Sequence, residues 1–326
     1  MRRPSEGGRR RAIQTAGVLS VLFLVLAPFL LGTYFRVFVT EMLIWGLFAM
    51  AFDVIFGYTG MLSFGQSTFF GAGAYAVALA LIHARSGVGM ALLAAAATSL
   101  ILAALIGYFA VKVSGHYFVI ITVVFSLVFF RLTLQYKAVT GGDDGLSFKI
   151  PPLRVGALEL SLYNPVVNYY FVFGVVLLSF LACLLVMRSP WGRIFVSIRE
   201  NENRARLIGY DVERYKLLAF MLSGLFAGVA GALYALTFRY SNASLLHWTV
   251  SGQGILWAIV GGAGTLVGPF LGTGLLVSFT DYIGYWFENY QILVGALIIV
   301  MVILAPRGIL GILTGEAGPR GRAGGH

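Results

Sequence analysis

The sequence predicts an all-α, polytopic membrane protein of about ten transmembrane helices, and three observations carry that prediction. Hydrophobic residues make up 59% of the 326-residue chain and charged residues only 11%, more apolar surface than a water-soluble globule hides. The apolar residues fall in long continuous runs rather than in alternating pieces of about ten, which argues against a membrane β-barrel. Glycine is abundant, at 41 residues, as expected where helix backbones approach closely in lipid. Gly224 and Gly228 stand four apart, as do Gly268 and Gly272, the spacing of a packing face.

A span needs about 20 apolar residues. In chain order the candidates are 15–35, 38–56, 64–83, 88–111, 117–135, 165–187, 216–237, 245–261, 266–285 and 290–305. Ahead of the first stands "MRRPSEGGRRR", like the basic start of a signal peptide but followed by no small-residue cleavage site. Residues 1–14 therefore read as a basic cytoplasmic segment before a retained anchor, 15–305 as the transmembrane domain, and 306–326 as a cytoplasmic tail.

The charges choose an orientation. With both termini in the cytoplasm, 16 of the 23 basic residues lie inside and seven outside, as the positive-inside rule requires. The same distribution accounts for the net charge of +10 without nucleic acid. Between Arg239 and Arg307 the rule needs an odd number of crossings. Three result if "GGAGTLVGP" (261–269) is a tight turn or a break within the membrane; one tilted helix with a re-entrant piece is the alternative. The connection 136–164, with "TGGDDG" and "IPPL", reads as a turn-rich outer loop.

Two apolar segments, 57–73 and 261–272, are interrupted by glycine. Such breaks free backbone groups to line a cavity, though small residues also serve tight helix packing. The first segment adds Thr59, Ser63, Gln66, Ser67 and Thr68. Ser63, Gln66, Thr68, Thr122, Gly261, Gly262 and Gly264 are the candidate lining of a translocation path. Asp53, Glu41 and Arg131 fall toward the ends of their spans and are expected at the interface.

Other chemistry is missing from the pattern. No G-x-x-x-x-G-K-[ST] phosphate loop occurs, so the chain is not expected to hydrolyse ATP. His83, His116, His247 and His326 are scattered without metal-ligand spacing, so no metal or other cofactor is expected in this chain. A single cysteine, Cys183, cannot form a disulfide within the chain.

The stretch 188–216 breaks the apolar pattern, holding seven basic and four acidic residues. Ser189-Pro190 reads as a helix N-cap and first helical residue, and Gly209 as a left-handed stop. Asp211 then caps the following span. Such a stretch would place a short, two-ended helix near the membrane surface. Arg199, Asn203 and Arg206 would share one face, and Ile198, Ala205 and Ile208 another.

This stretch resembles the cytoplasmic loop of ABC-importer permeases, and in detail the larger, LivM-type permease of the branched-chain amino acid family. The family's S-P-x-G-R, A-I-R-E-N-E, glycine and R-x-K-L-x-A-F are matched by Ser189-Pro190-Trp191-Gly192-Arg193, Ile198-Arg199-Glu200-Asn201-Glu202, Gly209 and Arg214-Tyr215-Lys216-Leu217-Leu218-Ala219-Phe220. "GYTGMLSFGQSTFFGAGAYA", "SGHYFVIITV", "TGGDDGL", "GGAGTLVGPFLG" and "APRGIL" resemble further family blocks in the same order. The importer pattern E-A-A-x-x-x-G would place its acid at Asn203, where this sequence departs from it. Leu127 stands at a position where some relatives carry an acid. These departures leave the substrate open, since the family also contains urea- and amide-type carriers.

The resemblance implies an ABC-importer permease fold working by alternating access on branched-chain amino acids. It implies a homologous second permease of LivH type, two ATPase subunits carrying ATP and magnesium, and an extracytoplasmic solute-binding protein, all in or at the inner membrane. Arg193, Arg199, Glu200, Glu202, Asn203, Arg206 and Gly209 would then couple to the ATPase. A self-sufficient secondary carrier or channel is the competing class, and it would need ion-coupling charges at mid-span.

Overall fold

A computed structural model describes residues 24–29, 32–84, 86–155, 158–287, 289–305 and 308–314. The basic segment 1–14, much of the first expected span, Arg307 and the tail beyond residue 314 lie outside the described residues. Residues 24–29 are helical, and thirteen further α-helices follow among the described residues. They are α1 (Thr33–Phe56), α2 (Gln66–Ile82), α3 (Val88–Ala110), α4 (His116–Gln135), α5 (Lys137–Thr140), α6 (Pro165–Arg188), α7 (Pro190–Glu200), α8 (Glu202–Leu207), α9 (Val212–Phe238), α10 (Trp248–Gly261), α11 (Gly268–Gly284), α12 (Tyr290–Leu304) and α13 (Gly308–Thr314).

Six stretches are long and apolar enough to cross a membrane: α1, α3, α4, α6, α9 and Gln291–Gly311. Burial sorts them by position. Of the apolar window of α1, 72% is buried within the protein, against 22% for α4. α1 therefore runs through the centre, and α4 turns most of its surface outward. Outward-facing Leu93, Ile101, Ile120, Leu178 and Ile303 are exposed, as befits helices whose solvent on that side is hydrocarbon.

The centre is built by close backbone approach. A Cβ added at Gly73 would lie closer than 3.0 Å to the Gly228 backbone, and one at Gly231 equally close to the Phe70 backbone. α2 and α9 thus meet with no side chain between them. Gly224 and Gly228 extend that face of α9 against Ala103 and Ser99 of α3. Beside it, Trp45 stacks on Phe70 at 4.9 Å and touches Tyr234 and Trp257, joining α1, α2, α9 and α10.

The expected spans 64–83, 245–261 and 266–285 become shorter helices. α2 and α11 have 17 residues and α10 has 14, or roughly 26 and 21 Å at the α-helical rise, less than the ~30 Å hydrocarbon core. Non-helical backbone makes up the difference. Residues 57–65 lead into α2, with Thr59, Met61 and Ser63 buried, and a 3₁₀ turn, Ala243–Leu246, leads into α10. Protein covers most of both, Gly60 and Ser244 excepted, which is the condition under which irregular backbone survives at membrane depth.

Residues 262–267 fold α10 back against α11. The Gly261 and Gly272 Cβ positions face the backbones of Gly268 and Trp257 respectively, so the two helices pack as a tight pair. The turn lies beside Asp53, Gly57 and Arg199, at the same end of the bundle as 188–216. The tight turn expected at 261–269 is thus present, and the short α10–α11 pair fits either a fold-back of two crossings or a re-entrant piece.

At the opposite end, 136–164 forms small turns and strands. β1 (Leu146–Ser147) pairs antiparallel with β4 (Tyr240–Ser241), and β2 (Leu153–Val155) with β3 (Leu158–Leu160). Gly141, Gly142 and Gly145 all have positive φ.

The charged stretch differs from its sequence reading in one respect. Ser189 and Asp211 cap as expected, accepting from the Trp191 and Arg214 amides, and Gly209 stops the segment at φ +99°. The single helix, however, is two. Asn201 is extended, at φ −162° and ψ 101°, and its side chain accepts from Arg204 N at 2.9 Å to start α8. The break lets Ile194 and Ile198 of α7 and Ala205 of α8 close on Val212, which one straight helix would not allow. Consequently Arg199 shares no face with Asn203 and Arg206, and Ile208 is exposed rather than packed with Ile198 and Ala205.

Removing this cap by Asn201→Ala is expected to cost about 1 kcal/mol. The loss is confined to α8 and is read as faster hydrogen exchange of the 204–208 amides, with the membrane helices unchanged.

Candidate functional site

Two regions draw the polar groups of the described residues together. The first is at mid-bundle. Ser126 lies halfway along α4, and its hydroxyl donates to the Leu246 carbonyl at 2.6 Å. Ser67, in the first turn of α2, donates to the same carbonyl at 3.1 Å and lies 3.1 Å from Ser126 Oγ. Ser67 N donates to Ser251 Oγ of α10 at 2.8 Å. Nearby, Phe64 N donates to Thr122 Oγ1 at 3.1 Å, and Gly65 N to Ser63 Oγ at 3.2 Å. α2, α4, α10 and the 3₁₀ turn therefore converge on one group of hydroxyls.

All of these hydroxyls are fully buried. Two side chains that flank Ser67 in the chain are not satisfied. Both amide atoms of Gln66 and the Thr68 hydroxyl are buried with no hydrogen-bond partner within the chain. A buried unpaired polar group costs about 1–3 kcal/mol, so it persists where water or a solute completes it. The hydrogen-bonded groups of this region are hydroxyls, amides and carbonyls, with no ionisable side chain among them.

Of the residues expected from the sequence, Ser63 and Thr122 take part in these hydrogen bonds, and Gln66 and Thr68 flank Ser67 in the first turn of α2. Gly261, Gly262 and Gly264 are elsewhere. Gly261 packs α10 on α11, Gly262 adjoins Gly308, and Gly264 meets Asp53. Ser126 and Ser251 escaped the sequence reading. Ser126 was findable, because it follows Thr122 by one helical turn.

The second region is the charged end. A cleft of about 440 Å³ opens between residues 59–62, residues 113–119 and the α7–α8 break, with Arg199, Glu202 and Lys216 among its walls. Arg193, Glu200, Asn203, Arg206 and Gly209 are exposed around it. Glu202 is the local hub: it accepts from Lys216 Nζ at 2.6 Å and from Arg206 at 3.1 Å. Burial pushes its carboxyl up, but the hydrogen bonds from Lys216 and Arg206 outweigh it and hold the group below the usual carboxylate range.

The Lys216 side chain is only 6% exposed, so removing its carboxylate partner would leave a buried ammonium unpaired. Glu202→Gln is expected to cost about 1–2 kcal/mol at neutral pH, discounted because Glu202 is 32% exposed. With a depressed native value, the native pair contributes in full above the ordinary carboxylate range and loses its contribution as pH falls below about 4. Thermal unfolding in detergent at pH 7 and pH 3.5 checks this: the variant falls short at the first and approaches the native chain at the second.

Asp53 corrects another expectation. It is fully buried rather than interfacial, and its carboxylate accepts from Gly264 N at 2.6 Å and Leu266 N at 3.1 Å. Arg199 reaches the same place from α7, donating through Nη1 to the Gly57 carbonyl. Among the described residues no group of three or more histidine, cysteine, aspartate or glutamate side chains could hold a metal ion.

A family model described as "Branched-chain amino acid transport system / permease component" matches residues 34–305. The chain is 27% identical to the high-affinity branched-chain amino acid transport permease LivM of Salmonella typhimurium, over 90% of this chain and 74% of the relative. Against LivM of Escherichia coli the identity is 28%, over 89% and 74%. BraD of Pseudomonas aeruginosa, another high-affinity branched-chain amino acid permease, is 26% identical over 82% of this chain and 91% of its own. No solved structure matches the chain.

Proposed function

Because this chain belongs to the branched-chain amino acid transport permease family, we propose that it forms half of an ATP-driven path for branched-chain amino acids. It is a multi-pass membrane protein and a permease subunit of an ABC importer, a transport subunit rather than an enzyme. In our reading a second, LivH-type permease completes the path, and two ATPase subunits bind at the charged end, which faces the cytoplasm. A solute-binding protein delivers the amino acid at the opposite end.

The observation that carries this reading is the mid-bundle hydroxyl group with its unpartnered Gln66 and Thr68. A zwitterion needs hydrogen bonds without a net countercharge, and an uncharged lining supplies them. The exposed Leu207 and Ile208 at the tip of α8 support docking of a soluble partner, since apolar groups beside so many charges suit a covered surface. Closure of the ATPases would push α7 and α8 and rock the helices around the hydroxyl group.

The test is uptake in proteoliposomes holding all the subunits, with leucine, isoleucine or valine on the binding-protein side. ATP-dependent accumulation is the expected result. Accumulation of urea or a short amide alone would reassign the substrate, and uptake without the ATPases would make the chain a self-sufficient carrier. Gln66→Leu and Thr122→Val are each expected to lower uptake about tenfold, equivalent to ~1.4 kcal/mol, with the complex still assembled. Unchanged uptake would remove those side chains from the path.

A further inference from the structure

Three turns meet at the charged end, and each comes from a different part of the chain. The first follows α1, where Gly57 begins the non-helical run into the mid-bundle hydroxyls. The second is 262–267, between α10 and α11. The third is the last turn of α7, which carries Arg199.

Two side chains hold these turns together. Asp53, fully buried, receives the Gly264 and Leu266 amides at 2.6 and 3.1 Å. Leu266 takes φ +56°, a left-handed conformation that a leucine adopts only under restraint, and its amide is one of the two that Asp53 holds. Arg199 donates to the Gly57 carbonyl, and the Gly264 Cβ position lies 3.0 Å from Arg199 Nη1. Gly57 is the point of contact: a Cβ there would fall closer than 3.0 Å to both the Asp53 carboxylate and Gly264 N. At that point the Gly57 and Gly264 backbones meet directly, and the Arg199 side chain joins α7 to both.

Resting on the proposed ATP-driven reading, we infer that Asp53 and Arg199 form a latch making α7, the 57–65 run and the 262–267 turn move as one body. Displacement of α7 is then delivered to Ser63, Gln66 and Thr68 through nine residues of non-helical backbone, and to the α10–α11 pair through 262–267. A push on α7 alone would otherwise be absorbed by the coil at Gly57. Both side chains are positioning residues: neither lies among the mid-bundle hydroxyls, and they act by transmitting displacement.

The test uses the complete complex in proteoliposomes, with one reporter cysteine at a time, Leu62→Cys or Ala263→Cys. The native Cys183 is fully buried and serves as the silent background. The rate of labelling by a membrane-impermeant thiol reagent is measured with and without a non-hydrolysable ATP analogue. With the latch intact, nucleotide is expected to change both labelling rates at least fivefold. With Arg199→Gln, or with Asp53→Asn, the change at both reporters is expected to fall below twofold while the subunits still co-purify. Asp53→Asn nearly preserves shape and keeps the test decisive if Arg199→Gln fails to assemble. A full nucleotide response in assembled latch variants overturns the latch and leaves the transport reading standing. A nucleotide-insensitive native complex overturns the transport reading and the latch with it.

Discussion

Gly231→Val is expected to leave little or no folded protein in the membrane. A Cβ at Gly231 faces the carbonyl oxygen, carbonyl carbon and Cα of Phe70, all within 3.0 Å, and backbone atoms inside a helix cannot step aside as a side-chain tip can. α2 and α9 would have to separate. That separation would also open the Gly73–Gly228 contact and lift Phe70 from Trp45. Overpacking of this kind costs about 1–3 kcal/mol, and the lost contacts along both helices raise the total to about 4 kcal/mol, a large share of a typical stability. The single, fully buried Cys183 supplies the measurement, because a thiol-reactive dye reports its exposure on heating. A midpoint at least ~10 °C lower, or failure to accumulate, is the expected result. Gly174→Ala is the control. It is an exposed helical position with nothing within 4 Å, so exchange there should be neutral or stabilising by up to ~1 kcal/mol. Equal behaviour of the two variants would show that close α2–α9 contact does not hold the centre together.

Gly57→Ala is expected to lower transport more than tenfold with a smaller loss of stability. Its backbone is in the ordinary right-handed region, φ −68° and ψ −37°, so no left-handed strain is involved. The added methyl is excluded by the Asp53 carboxylate and the Gly264 amide, which would have to part. Parting them costs about one buried charge-assisted hydrogen bond, ~2 kcal/mol. It also moves the Gly57 carbonyl that Arg199 holds. Uptake is therefore expected to fall more than tenfold in complexes that still assemble, while the unfolding midpoint falls by only about half as much as for Gly231→Val. Gly87→Ala, with nothing within 4 Å, should leave both unchanged. Normal uptake by Gly57→Ala would show that the Asp53–Gly264 contact is not needed for transport.

Much of this arrangement was legible because its causes are local. Ser189-Pro190, Gly209 and Asp211 mark helix ends by chemistry that acts within three residues, and all three occur where the sequence places them. Gly224 with Gly228, and Gly268 with Gly272, announce packing faces because a helix brings residues four apart to one side. The break at Asn201 was less legible. Asn201 is compatible with a helix interior or a cap, and the choice falls to the cap only because Val212, eleven residues on, provides the apolar surface that α7 and α8 close upon.

Asp53 shows the opposite limit. In the sequence it is a charge near the end of an apolar run, and such charges usually reach water. Its partners are the amides of Gly264 and Leu266, more than two hundred residues away, and no local pattern encodes that distance. Ser67, Ser126 and Ser251 are likewise three ordinary hydroxyls in three separate apolar runs. Composition, hydrophobic run length and charge placement by themselves determined a helical membrane protein with one charged end, since burying apolar surface and satisfying backbone groups in lipid depend on the chain alone. Which polar groups converge at mid-bundle, and which turns are tied together, was decided only by tertiary packing, because hydrogen bonds between distant segments exist only after close helix contacts bring their donors and acceptors within 3 Å or so.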